Sequence, residues 1–440
     1  MNILIISHFY ELDGVMGSVR WTSFAHRLSQ KHRVFVVTHD AEKKKGLDIR
    51  EKDGITIIRI DNECAYVKSS NKRKANRDTG NNQSVGTSAV VSRERSNLKS
   101  VLKNLLYVGS IAHDSRANAK RIVRYLKSNR IELDSIATTS RPFIDAFLGY
   151  YIAKELKTRW VLDQRDLQYN DGASDFTVRL YAQIFRRMDK YVSAYTLVSH
   201  GMAETFASDC GFSEAQKRRI HVLTNGYDRT HQTNSPTVQV SGPLSFAYVG
   251  DLYTGRRDAG ILFAAISKLL ERTPEYAVTD FCIHYAGDEG VVLKQQADQF
   301  GLAEIVADEG RVKHERAIQI QSEADLMLLL TWNTERDQGI LPGKFYEYMM
   351  AERPILCITC GSKPNGEAEG MVDRMNLGIA VNQRNGEQDI ERLTDYLEQQ
   401  LQRKKQGLPL LYTPDKEMVG MYDYDMLAQR LEQLISEIAQ

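Results

Sequence analysis

The residues best suited to chemistry stand in short stretches that follow apolar runs. In LPGKFYEYMMAERPIL (341–356), Phe345, Tyr348 and Met349 recur at helical spacing and predict a helix with one buried face. Ile355, Leu356 and Ile358, after Pro354, predict a short buried strand. Lys344 and Glu347 lie three apart and share a face of the helix's first turn. A helix N-terminus presents unsatisfied N–H groups and about half a positive charge. Gly343 leaves room for a ligand against that backbone, Pro342 gives up no needed donor, and Lys344 adds a full charge. Together they suit a diphosphate. Glu347, one turn further in, can accept hydrogen bonds from the paired hydroxyls of a sugar. The simpler alternative is an exposed Lys–Glu pair, worth about 0.2–0.5 kcal/mol.

A second stretch, YVGDLYTGRRD (248–258), leaves another predicted strand at Gly250 and carries Arg256 and Arg257 side by side. Adjacent guanidiniums at a strand end suit phosphate oxygens, which arginine binds in bidentate fashion. The alternative is a surface charge run paired with Asp251 and Asp258. A third, HFYELDGVMGSVRW (8–21), has Gly14 and Gly17 for close backbone approach and Arg20 and Trp21 opening the next helix. It competes with an ordinary flexible loop.

Three other readings are rejected. GILPGK places three residues between Gly339 and Gly343, and Phe345 stands where a phosphate-binding loop needs Ser or Thr. Asp423-Tyr-Asp425 has the form of a metal-binding D-x-D, but it immediately precedes the final helix, where Asp425 is expected as the N-cap. There is no G-x-S-x-G, and no His/Cys spacing suits a metal.

The elements that must position these residues read as α/β throughout. NILIIS (2–7), VFVVTH (34–39), ITIIRI (55–60), SIATTS (135–140), WVLD (160–163) and YTLVS (195–199) form one series of predicted strands. FAYVG (246–250), FCIHYAG (281–287), LMLLL (326–330) and ILCIT (355–359) form a second. They are densely apolar rather than alternating, as in parallel sheets covered on both faces. Helical patterns separate them, so two doubly wound domains are expected. Open parallel sheets bind ligands outside the carboxyl ends of their strands, where the polar clusters fall. The polar, proline-containing segment 229–243 marks the expected boundary, giving domains 1–235 and 236–422 and a terminal amphipathic helix within 423–440.

At 440 residues two domains are the default, and a net charge of +1 gives no basic field for nucleic acid. Five cysteines, few and mostly in apolar runs, suit a reducing compartment; the C-x-x-C at Cys357 and Cys360 falls on a buried-strand run. MNILIISHF lacks a basic stretch and its apolar run is too short for a signal peptide, so a cytoplasmic protein is expected. Residues 68–97 read as a mobile polar insert: nine basic residues between Lys68 and Lys103 face Asp78 and Glu94, a local charge of about +7. LKSVLKNLLYV (98–108) follows as a basic amphipathic helix. A solvated loop and core helix, or a surface for anionic lipid headgroups at the inner face of the membrane, both account for it.

In order and spacing these motifs resemble glycosyltransferase family 4, over nearly the whole chain. NILIISHFYELDGVMGSVRWTSFAHRLSQKHRVFVVT is similar to the family's opening strand, glycine loop and helix. DQRDLQ (163–168) is similar to its D-x-R-D segment, LVSHGMAETF to its serine-start helix and HVLTNGYD to its Asn-Gly-Tyr-Asp ending. YVGDLYTGRRD, EGRVKHERAIQIQSEADLMLLL and LPGKFYEYMMAERPILCI resemble its donor domain. The resemblance implies the GT-B fold: two Rossmann-like domains facing a central cleft, N-terminal for the acceptor and C-terminal for the nucleotide sugar, with the last helix packing back toward the N-terminal domain.

It also implies transfer of a sugar from a nucleoside-diphosphate donor to a polysaccharide or lipid-linked acceptor, with retention and without a metal or other cofactor. By motif position, Arg256 or Arg257 with Lys344 neutralises the diphosphate, Glu347 holds ribose hydroxyls, and the backbone at Arg311 and Val312 borders the base. Gly17 approaches from across the cleft, and Asp166 orients the sugar or acceptor hydroxyl, the alternative being a helix-capping or salt-bridged Asp beside Arg165. Of the two glutamates that the family commonly shows with seven residues between them, only the second, Glu347, is present; Gly339 holds the first position. The alternatives are a sugar-nucleotide epimerase of the same architecture and a non-catalytic nucleotide-binding subunit.

Overall fold

The ten densely apolar runs become the interior strands of two sheets in the computed structural model, which describes residues 1–11, 16–40, 46–61, 98–169, 172–229 and 242–439. The first sheet comprises β1 (Asn2–Ile6), β2 (Arg33–Asp40), β3 (Leu47–Lys52), β4 (Ile55–Asp61), β5 (Ser135–Thr139), β6 (Arg159–Gln164), β7 (Ala194–Leu197) and β8 (Ile220–Val222). Their order is β3-β4-β2-β1-β5-β6-β7-β8. All neighbours are parallel except β3 and β4, an antiparallel hairpin turned at Asp53 and Gly54 with φ of 50° and 76°. Two consecutive left-handed residues make the tight turn that suits strand twist, and Asp-Gly adopts it at low cost.

The second sheet comprises β9 (Leu244–Val249), β10 (Phe281–Ala286), β11 (Val306–Asp308), β12 (Leu326–Trp332), β13 (Ile355–Cys360) and β14 (Gly378–Asn382), in the order β11-β10-β9-β12-β13-β14, all parallel. This is the doubly wound dinucleotide-fold order, with its switch between β9 and β12. Both faces are covered. On β12, Leu326, Leu328 and Leu330 join one buried cluster while Met327 and Leu329 join another. The run is therefore apolar at every position although side chains alternate between faces. The same alternation puts Cys357 and Cys360, three apart on β13, on opposite faces, and both are free thiols.

The chain divides into two compact units, Met1–Thr224 with Leu427–Gln440, and Asn225–Met426. The terminal helix Tyr424–Ala439 thus gives most of its length to the first unit. Its cap is Asp423, which accepts from the Asp425 amide at 2.8 Å, so the capping role expected of Asp425 belongs two residues earlier. The segment expected as the domain boundary falls largely at 230–241, outside the described residues, as does the basic insert 68–97. Among the described residues no helix is long and apolar enough to cross a membrane.

Candidate functional site

At the switch point of the second sheet the loops leaving β9 and β12 bring the predicted cations together. The strand β9 ends at Val249, and Gly250 turns the chain with φ of 130°. A Cβ there would lie 2.7 Å from the Nζ of Lys344, so glycine is required for the lysine to reach this position. The loop continues through Tyr253, Thr254 and Gly255, all at positive φ (53°, 56° and 83°). Two non-glycine residues in this region cost about 1–3 kcal/mol each and persist where surrounding structure holds them. Glu289 does so, accepting from the amides of Leu252 (2.5 Å) and Thr254 (2.7 Å).

This loop aims two guanidiniums at an aromatic pair. Arg257 is buried and donates to the Asp251 carbonyl at 2.8 Å and the Tyr248 hydroxyl at 3.3 Å. Its guanidinium lies 4.5 Å from the Tyr253 ring and 5.2 Å from that of Trp332, the last residue of β12. Arg256 lies over the Trp332 ring at 4.3 Å and pairs with Asp337 at 3.0 Å. Asp337 also accepts from the Trp332 indole at 3.3 Å. Trp332, Tyr253, Glu289 and Asp337 had no predicted role, because nothing local marks a tryptophan at a strand end as the partner of arginines some eighty residues earlier.

The helix Gly343–Met350 begins beside them. Pro342 is its N-cap, and no side chain caps this end. Phe345, Tyr346, Tyr348 and Met349 are buried against the sheet, one aromatic more than the spacing predicted. The Nζ of Lys344 is enclosed, has no hydrogen-bond partner and sits 3.9 Å from the Tyr248 ring centre. Burial, followed by repulsion from Arg257, holds its pKa well below the ordinary lysine value, and Glu347 and Asp251 only partly oppose this. The Nε of Arg257 likewise lacks a partner. An enclosed amine and guanidinium with unused donors, next to an uncapped helix start, form a cradle that an anion would complete. Glu347 is half-exposed on the same turn, and its carboxylate makes no hydrogen bond or ion pair with the described residues.

Arg311 and Val312 follow β11 at the same carboxyl edge; Arg311 is exposed and reaches Asp288 at 3.5 Å, whereas Val312 packs on the core. Gly17 and Asp166 belong to the first unit. Gly17 lies in the first turn of the helix Met16–Ser29, while Gly14 falls outside the described residues. Asp166 is half-exposed and pairs with its neighbour Arg165 at 3.0 Å. Arg20, on the same helix as Gly17, is a structural tether. Fully buried, it pairs with Asp163 at 2.9 Å and donates to the carbonyls of Leu223 (2.9 Å) and Thr224. Trp21 and Thr196 also donate to Asp163, at 3.2 and 2.7 Å.

Among the described residues two groups could hold a metal where sequence spacing offered none: His8, His39 and Asp145, and the more exposed Glu11, His26 and Asp53. In the first, at the carboxyl edge of β1 and β2, Asp145 accepts from the His8 amide (2.7 Å) and meets His39 Nε2 at 3.0 Å. Residues this far apart in the chain give no motif.

No family model and no curated protein sequence matches the chain. Solved structures do, over its whole length. HepE of Anabaena in complex with UDP and glucose superposes with a TM-score of 0.57 at 14% identity, covering 99% of this chain and 100% of that one. Sucrose-phosphate synthase of Thermosynechococcus elongatus gives 0.59 at 12%, covering 99% and 98%. A UDP-forming α,α-trehalose-phosphate synthase of Burkholderia vietnamiensis gives 0.63 at 9%, covering 100% and 99%. The fold is GT-B. At these identities the likeness is one of architecture, and the chemistry rests on the residues described above.

Proposed function

We propose that this chain is a glycosyltransferase that moves a sugar from a nucleoside diphosphate to a glycan or lipid-linked acceptor, with retention and without a bound metal. The observation that carries the reading is the enclosed, unpartnered Lys344 Nζ beside Arg257, with Arg256 next to it on the same loop, at the switch point where such sheets bind nucleotides. Breaking a sugar–phosphate bond develops positive charge at carbon and negative charge on the departing oxygen. Fixed cations and N–H groups aimed at that oxygen stabilise the charge as it forms. Lys344 and the guanidiniums act on the diphosphate, Glu347 on ribose hydroxyls, and the backbone at Arg311 and Val312 on the base. Gly17 leaves room for the phosphate or reacting sugar, and Asp166 orients a hydroxyl. The leaving phosphate accepts the acceptor's proton, so no strong protein base is demanded. That neighbours of this fold carry UDP or are named UDP-forming supports a nucleotide sugar as donor.

A cytoplasmic enzyme working on a lipid-linked acceptor meets the inner membrane surface. The helix Leu98–Ser128 supports that placement, exposing Leu102, Leu105 and Leu106 in a stretch that also carries Lys99 and Lys103. The test is binding and turnover across UDP-, GDP- and dTDP-sugars, with and without acceptor. Lys344→Ala and Glu347→Ala should each lose donor binding; full transfer by both variants would refute the site. Release of an altered free nucleotide sugar without acceptor would indicate an epimerase, and binding without turnover a regulatory subunit.

A further inference from the structure

A second charged recess lies in the first unit, at the opposite edge of its sheet from the strand ends where ligands of such folds bind. It is an open recess of about 600 Å³ built from the amino ends of three consecutive strands. Arg159 is the first residue of β6, Ser193 immediately precedes β7, and Arg219 immediately precedes β8. Lys154 and Lys157 close it from the end of the helix Phe143–Leu156, Lys190 and Tyr191 from the turn before β7, and Glu437 and Ile438 from the terminal helix.

Its charge is one-sided. Arg219 is matched by Asp189 at 2.7 Å. Among the described residues no carboxylate pairs with Lys154, Lys157, Arg159 or Lys190, and the lining offers only Glu437. The ammonium groups of Lys190 and Lys154 lie 5.0 and 6.0 Å from the centre of one ring, Tyr191, so two like charges share a single aromatic partner. A lysine run on a convex surface would spread into water. Here strand ends and helix ends set exposed cations around a concavity also lined by Tyr191, Val192 and Ile438, where charges of one sign raise local anion concentration. The carbonyl pole of the helix Phe143–Leu156 offsets about half a charge, which leaves a clear positive excess. That excess and the volume suit a diphosphate or a phosphorylated sugar and exceed what a chloride would need.

We propose that this recess is a second anion site, separate from the cradle in the other unit, that takes a phosphate- or pyrophosphate-bearing ligand. The shared chemistry fits a free phosphorylated solute or a lipid headgroup. Because the recess is built wholly from the first unit and shares no residue with the proposed donor site in the second, occupancy would report on another molecule than the donor.

Lysine acylation read by mass spectrometry, with inorganic pyrophosphate as the probe, tests this locally. Pyrophosphate should protect Lys154, Lys157 and Lys190 while the exposed Lys294 and Lys416 of the other unit react as before. The double variant Lys154→Ala/Lys190→Ala should need about tenfold more pyrophosphate to protect Lys157, the effect of about 1.4 kcal/mol. Lys344→Ala should leave the protection intact, so the site stands or falls apart from the proposed donor cradle. Vesicles of phosphatidylcholine with phosphatidic acid form the second arm. Protection by vesicles alone identifies a headgroup, and protection by pyrophosphate identifies a free phosphate. Protection by neither, or equal protection in the double variant, overturns the proposal.

Discussion

Replacing Lys344 by methionine should move stability and ligand binding in opposite directions. Without ligand, the lysine's Nζ is enclosed and has no acceptor. The Tyr248 face at 3.9 Å helps the charged form, but the downward pKa shift shows that burial and Arg257 outweigh that help. An unsatisfied buried polar group costs about 1–3 kcal/mol. Methionine keeps the stem and removes the amine, so the free protein should gain about 1 kcal/mol, or about 2–4 °C in a domain of this size. A diphosphate in the cradle would supply the missing acceptor through a charged hydrogen bond worth about 1.5–3 kcal/mol, so the variant should bind it roughly 10- to 100-fold more weakly.

The pH dependence has a definite sign. The folded pKa lies below the unfolded value of 10.5, so the unfolded chain holds the proton longer. Stability therefore rises with pH from the folded pKa up to 10.5, and that slope should vanish in Lys344→Met. Bound diphosphate restores the proton, so binding above the folded pKa takes up protons and weakens as pH rises. Calorimetry of UDP, GDP and dTDP in buffers of different ionisation enthalpy, beside thermal unfolding, measures both effects. Unchanged diphosphate affinity in the variant would refute the cradle. A lower melting temperature would show that Nζ already had a native partner.

Gly250→Ala should cost about 1–3 kcal/mol for its left-handed backbone and displace Lys344, whose Nζ would sit 2.7 Å from the new Cβ. Chemical unfolding and diphosphate titration should both register the change. Arg20→Met should destabilise the first unit by about 3–5 kcal/mol, because it leaves Asp163 buried and unpaired; hydrogen exchange on β6 and β7 would follow it. Acidification should weaken the same unit in two windows. Burial, then His8, lowers the pKa of His39, so stability is lost as pH falls below its unfolded value of 6.5. Burial opposes, but the bonds from His39 and His8 prevail in lowering Asp145, whose contribution disappears below 3.8. Each group can contribute at most about 1.4 kcal/mol per pH unit, and His39→Gln should flatten the upper window in urea titrations.

All ten strands legible as apolar runs lie inside the sheets, and the four that were not legible, β3, β8, β11 and β14, are the four edges. An interior strand buries both faces and so writes a dense hydrophobic run, whereas an edge strand can be short or half-exposed. β3 is LDIREK with four exposed residues, and β11 is three residues long. β14, GIAVN, is mostly buried yet begins at glycine and carries only three apolar side chains. The Asp53-Gly54 turn was the remaining local signal for β3, and it needed a recognised partner strand to be useful.

The two kinds of information divide cleanly at the cradle. Helix period, the proline and glycine before Lys344, and the paired arginines after a strand are properties of neighbouring residues and are legible without the fold. Whether Lys344 would be a solvated Lys–Glu surface pair or an enclosed amine depended on Tyr248, Gly250 and Arg257, about ninety residues away. Likewise Arg20, read from the sequence only as opening a helix, is a buried tether because Asp163 and the carbonyls of 223 and 224 converge on it. Burial and charge pairing are set by distance in space, and only folding decides which distant residues share a low-dielectric environment.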